Sequence, residues 1–268
     1  MKDIFNNKKL LWILCVIALV ALLVLFWIVI NPFGQPDIPS EPLPVQTEPV
    51  DDGGIVEDET TDPVPENTEP QILAHMAEKL AQNQDFAAWI KIDGTVLDYP
   101  VMYSPDDREK YLHRDFEERY SFSGLPFIDS NCAIEPESDN LIIYGHNMGN
   151  GTMFRTLMSY TEQEFYEEHP QVQFTTLYEE RTYDIVAVFY DRVYYKYEDV
   201  FKFYQFIDAE SEEDFNEAIS YYKEKALYDT GVTAEYGDRL LTLVTCAYHE
   251  TNGRFVLIAR QTVDEPQS

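Results

Sequence analysis

Hydrophobic and polar positions divide the chain into three stretches. From Leu10 to Ile30 no charged or polar residue interrupts the run, and as a helix it would reach roughly 31 Å, about the thickness of one bilayer core. From Asn31 to Pro70 the pattern dissolves into proline, aspartate and glutamate with almost nothing to bury, which predicts a disordered stalk with polyproline character. Periodicity returns at Gln71. Ile72, Met76 and Leu80 recur at helical spacing. Short apolar or alternating runs then predict strands at Trp89–Ile92, Val96–Met102, Gly124–Ile128, Asn140–Tyr144, Val172–Leu177, Arg181–Val193, Leu240–Cys246 and Phe255–Gln261. Helices fit Asp106–Leu112, Thr161–Glu168 and Glu212–Leu227, the last opened by Ser211 and three acids that complement a helix N-terminus. No internal repeat is visible, and the irregular order of elements reads as mainly β with attached helices in one domain, residues 71–268.

Charge orients the chain and removes one class of function. Lys2, Lys8 and Lys9 precede the apolar run, and no lysine or arginine follows it before the folded part, so the positive-inside rule predicts a cytoplasmic segment 1–9, a single transmembrane helix 10–30 and an extracellular folded part. The run is longer than the ~7–15 apolar residues of a signal peptide and lacks a small-residue cleavage site, so it reads as an uncleaved anchor. With 19 basic against 49 acidic residues the net charge is −30, which argues against nucleic-acid binding, since phosphate contacts need lysine and arginine. The hydrophobic share of 45% is enough to build a core.

The candidate chemistry lies at strand ends. Leu240–Cys246 ends on a cysteine, Thr251-Asn252-Gly253 signals a turn, and Arg254 opens the next strand, which places a thiol and a guanidinium on one rim of a sheet. Asn140–Tyr144 ends, after Gly145, on His146. A free thiol of pKa about 8.5 is only a few per cent thiolate at neutral pH and needs a cationic or basic neighbour, the role open to His146. His249 and Arg260 are the rivals for the imidazole and the guanidinium, while His75, His113 and His169 lie in polar, helix-like stretches. Cys15 falls within the apolar run, and Cys132 follows a strand in a polar turn and reads as structural; pairing it with Cys246 would silence the candidate nucleophile. Cys246 and His249 supply two metal ligands with no second pair, so neither metal nor cofactor is expected.

These residues resemble the motifs of the sortases, membrane-tethered transpeptidases of Gram-positive bacteria. The resemblance rests on Thr242-Leu243-Val244-Thr245-Cys246, Tyr144-Gly145-His146-Asn147-Met148 and the Gly253–Ala259 run, with Asp85–Thr95, Tyr99–Met102, Tyr111–Phe116, Gly124–Asp129 and Gly151–Phe154 further upstream. In that order and spacing they are similar to class B members. The resemblance implies an eight-stranded β-barrel, Cys246 as nucleophile, His146 as general acid and base, and Arg254 holding the substrate carbonyl. It implies substrate contacts for Thr245, Tyr144, Tyr194 and Tyr195, with the Tyr194–Asp208 interval as the candidate for specificity. The implied partners are surface proteins bearing a C-terminal LPXTG- or NPXTG-like sorting signal, cleaved after threonine, and an amine of peptidoglycan or its lipid-linked precursor. A pilin polymerase using a lysine amine, a plain cysteine peptidase and a tethered, non-catalytic binding domain stay open as alternatives. Val244 departs from the class B pattern, where a small polar residue is common.

Overall fold

The computed structural model describes residues 70–262. The expected transmembrane run, the stalk as far as residue 69 and the last residues, 263–268, lie outside them. Among the described residues no helix is long and apolar enough to cross a membrane.

Helix α1 (Ala74–Gln82) presents Met76 to a small cluster with Phe86, Met102 and Tyr111. Its last turn hands over to Asn83, whose amide donates to the Tyr111 hydroxyl and the Phe116 carbonyl, both at 2.8 Å. Eight strands follow: β1 (Phe86–Lys91), β2 (Asp98–Met102), β3 (Phe127–Ile128), β4 (Asn140–Tyr144), β5 (Gln171–Thr176), β6 (Glu180–Arg192), β7 (Leu240–Cys246) and β8 (Gly253–Gln261). They close into a barrel in the order β1-β2-β3-β4-β7-β8-β6-β5, so the expected eight-stranded barrel is the fold. Closure leaves no free sheet edge and encloses the main core, to which β7 contributes Leu240 to Thr245 without an exposed position. Helix α2 (Gln163–Glu168) precedes β5, and α3 (Glu212–Lys225) packs Phe215, Ala218, Ile219 and Tyr222 inward, with Tyr222 stacked on Phe189 of β6.

Several boundaries differ from the sequence reading, each for a local reason. The strand expected from Val96 starts at Asp98 because Gly94 turns at φ +75° and the Thr95 hydroxyl bonds both the Ile92 carbonyl and the Leu97 amide, leaving Val96 exposed. The strand expected from Gly124 is only Phe127–Ile128: Gly124 has φ +53° and lies so close to the Tyr111 and Leu112 backbone that a Cβ would collide with both carbonyl oxygens. The helix expected at Asp106–Leu112 is a single 3₁₀ turn, Lys110–His113, with Tyr111 as its one buried residue. A further 3₁₀ stretch, Phe154–Thr161, precedes α2. Helix α3 stops at Lys225, short of the expected Leu227, because the Leu227 amide bonds to the Val188 carbonyl of β6.

Candidate active site

Strand pairing sets the site. β4 runs parallel to β7 with Tyr144 opposite Val244, and β7 runs antiparallel to β8 with Cys246 opposite Arg254. Residues directly opposite on neighbouring strands share a face, so thiol and guanidinium project together. The segment after β4 is then fastened to the cysteine strand by three bonds: Gly145 N–H to the Val244 carbonyl (3.1 Å), the Thr245 hydroxyl to the Gly145 carbonyl (2.7 Å) and the Asn147 amide to the Cys246 carbonyl (2.7 Å). Gly145 has no room for a side chain, since a Cβ would sit 2.5 Å from the Phe154 ring.

His146 is oriented from the other side. Its Nε2 lies 2.9 Å from the Leu112 carbonyl oxygen, which can only accept, so Nε2 carries a hydrogen and the neutral ring has its lone pair on Nδ1. The His113 ring stacks on it at 5.4 Å. One cavity of about 310 Å³ is lined by Tyr144, His146, Thr245, Cys246 and Arg254, together with Leu112, Phe127, Asp129 and Ser130. The volume lies at the low end of small-ligand sites, about 300–1,000 Å³. The Arg254 Nη1 donates to the Gly253 (2.9 Å) and Asn252 (3.2 Å) carbonyls, and among the described residues no carboxylate pairs with the guanidinium. Burial, and secondarily the nearby Asp129 carboxylate, pushes the Tyr144 phenol above its ordinary range, so it stands in the cavity as a protonated hydroxyl.

The rival residues lie elsewhere. His249 packs against Tyr190 at 4.7 Å and contacts Glu250, and it does not line the cavity. Arg260 pairs with Leu240 at the opposite end of the ladder. Cys132 is buried, its sulfur 3.5 Å from both the Asn140 carbonyl and the Ile142 amide, and burial pushes its thiol up to about 12; Cys132 and Cys246 are both free. Neither Tyr194 nor Tyr195 lines the cavity: the Tyr194 hydroxyl donates to Asp191 at 2.6 Å, and Tyr195 is exposed and stacked on Tyr197. Sequence reasoning placed His113 among solvated residues and did not single out Leu112 or Asn147 for a role. Leu112, His113 and Asn147 lie within the quoted motifs, but a role could not be read for Leu112 or Asn147 locally, because their contacts span 34 and 99 positions. Among the described residues no group of three or more His, Cys, Asp or Glu could hold a metal ion.

Comparison with known proteins gives this geometry its family. The Sortase domain model matches residues 90–262. The chain is 33% identical over 180 residues to sortase B of Staphylococcus aureus, covering 66% of this chain and 70% of that protein. It is 30% identical over 189 residues to sortase B of Listeria monocytogenes, covering 70% and 73%. A solved S. aureus sortase B–substrate complex superposes with a TM-score of 0.64 at 29% identity, over 73% of this chain and 88% of that one. A Bacillus anthracis sortase B complex gives 0.63 at 27% identity, over 72% and 88%. With a closed barrel, a thiol, imidazole and guanidinium around one cavity, and these relatives, the chain belongs to the sortase family, in its class B branch, and is a cysteine transpeptidase.

Proposed function

We propose that this transpeptidase works outside the cell, held by a transmembrane helix at residues 10–30, and joins surface proteins to the cell wall. Its donor is a C-terminal sorting signal of the LPXTG or NPXTG type. Cys246, having passed its thiol proton to His146, attacks the carbonyl carbon of the threonine in that signal, forming a C–S bond. The tetrahedral intermediate collapses as the C–N bond breaks, and His146 gives its proton to the departing amine. An amine of peptidoglycan or its lipid-linked precursor then loses a proton to His146, attacks the thioester and releases Cys246. Arg254 donates to the oxyanion in both steps, for which a planar, permanently charged group is suited. Tyr144 and Thr245 border the threonine, and the exposed face of Tyr195 offers an outer contact for the signal.

The single observation that carries this reading is the cavity shared by Cys246, His146 and Arg254, with Cys246 and Arg254 paired across one ladder. Of the related solved structures, one is a sortase B–substrate complex and another is sortase B complexed with triglycine, which supports a peptide donor and an amine-bearing acceptor. Incubating the enzyme with a sorting-signal peptide and a glycine peptide should give the thioacyl enzyme and then the ligated product by mass spectrometry, both abolished by Cys246→Ala with the fold intact. Retained turnover in that variant would sink the assignment, and ligation only to a lysine-bearing protein would replace the wall amine with a pilin-type acceptor.

A further inference from the structure

Asp191 is a buried charge that the reaction does not use. It lies in β6 directly opposite Arg254 in β8, as Arg254 lies opposite Cys246 in β7, so the three side chains form one rung on one face of the barrel. The Asp191 side chain is only 1% exposed. A carboxylate and a guanidinium side by side on a sheet would ordinarily pair. Here they do not: among the described residues the one cation within 4.0 Å of Asp191 is Lys225 of α3, at 3.9 Å. The carboxylate is taken by other donors. Its Oδ1 accepts from the Tyr194 hydroxyl (2.6 Å) and the Arg192 amide (2.8 Å), and its Oδ2 accepts from the Tyr221 hydroxyl (2.5 Å). The Tyr194 ring is itself fixed, with the Arg192 guanidinium 4.4 Å above its face and its backbone amide bonded to the Tyr204 hydroxyl.

We propose that Tyr194 and Tyr221 are positioning residues for Arg254: by saturating Asp191 they keep that carboxylate from capturing its neighbour on the rung and leave the guanidinium free for the substrate oxygen. Burial first, and then the Asp191 carboxylate, pushes both phenols above their ordinary range, so the two caging protons persist through neutral and mildly alkaline conditions. The assignment gives Tyr194 a role that acts through Arg254. It also gives a reason for an aspartate at this place: three well-directed donors hold a charge that would otherwise be costly to bury. Arg254 keeps its bonds to the Asn252 and Gly253 carbonyls, contacts weak enough to be exchanged for a developing oxyanion.

The test is an epistasis experiment on the intact enzyme with a sorting-signal peptide and a glycine peptide. Tyr194→Phe/Tyr221→Phe removes both cage protons with little change of shape and should lower kcat at least about tenfold, part of the roughly 100–1,000-fold cost of losing an oxyanion donor. Adding Asp191→Asn removes the charge that would trap Arg254, and kcat should return to within about threefold of the Asp191→Asn single variant. A loss from mere disruption of packing would not be relieved by a third substitution. The idea is overturned if the double variant keeps its rate, or if Asp191→Asn fails to rescue it while thermal unfolding shows all variants folded. Should the double variant not fold, Tyr194→Phe alone, on the half-buried loop, carries the same prediction with a smaller loss. The inference rests on the proposed role of Arg254, so Arg254→Ala is measured alongside. A fully active Arg254→Ala refutes that role and this inference together, whereas an impaired Arg254→Ala beside an unimpaired double variant refutes the cage alone.

Discussion

Two cysteines in one barrel are made chemically different by a few ångströms of surroundings. Cys246 ends its strand half-buried in a cavity with His146 and Arg254, while Cys132 sits in the core against the Asn140 and Ile142 backbone. Brief treatment with iodoacetamide at neutral pH should therefore modify Cys246 and spare Cys132 until the protein is unfolded, as read by peptide mass spectrometry. Burial also makes Cys132 a stability determinant. Burial pushes its thiol from the ordinary range up to about 12, so its contribution is complete below about pH 9 and is lost as the pH rises towards 12. Buried tyrosines such as Tyr160 and Tyr222 add to the same alkaline loss. The Tm should fall between pH 9 and 11, and less steeply in Cys132→Ala; an unchanged slope would remove Cys132 from that account. Of these two roles the sequence carried the outline, because a cysteine closing an apolar strand before a turn and one inside a polar turn are different local patterns. Neither the bonds of the buried sulfur nor the orientation of His146 by Leu112 could be read, since both depend on chain segments meeting in space.

Among the elements, α3 shows how far local rules reach. Ser211 Oγ accepts from the Asp214 amide at 3.2 Å, Glu212, Glu213 and Asp214 fill the first turn, and Lys223 and Lys225 the last, all favourable to the helix dipole. Ser211→Ala should cost about 1 kcal/mol and lower the Tm by roughly 2–4 °C in a domain of this size, measured calorimetrically. A Tm unchanged within error would mean the helix is held by packing on β6 alone. The start of α3 was legible from its cap because capping is a local interaction. Its end was not, because Leu227 bonds to β6 and so leaves the helix early. The short β3 and the single turn at Lys110–His113 were misjudged for a similar reason. Gly124 lies against the backbone of Tyr111 and Leu112, a tertiary contact that decides how much of each segment can be regular.

At the scale of the whole molecule the barrel separates stability from chemistry. At the end away from Cys246, Glu137 bridges Arg181 (2.7 Å) and Arg239 (3.0 Å), with Arg181 only 9% exposed and also held by Glu179. Glu137→Gln should destabilise by about 2–3 kcal/mol, below the roughly 3–5 kcal/mol of a fully severed buried pair because Glu179 remains, and should leave kcat/KM for peptide transfer unchanged. A loss of activity in a fully folded variant would show that the two ends are coupled. By itself the sequence determined a mainly β domain and most strand positions, and the family resemblance it carries implied the barrel and pointed to Cys246, His146 and Arg254 as candidates. Apolar periodicity and residues at strand ends are one-dimensional signals, and the spacing of several motifs is retained in the string. Only the tertiary structure decided which histidine and which arginine share the cavity with the thiol, that Asn147, Thr245 and Leu112 fasten them there, and that Asp191 stands on the same rung. Those facts follow from the parallel register of β4 on β7 and the closure of β6 onto β8, and long-range pairing of that kind is chosen by the packing of the whole core.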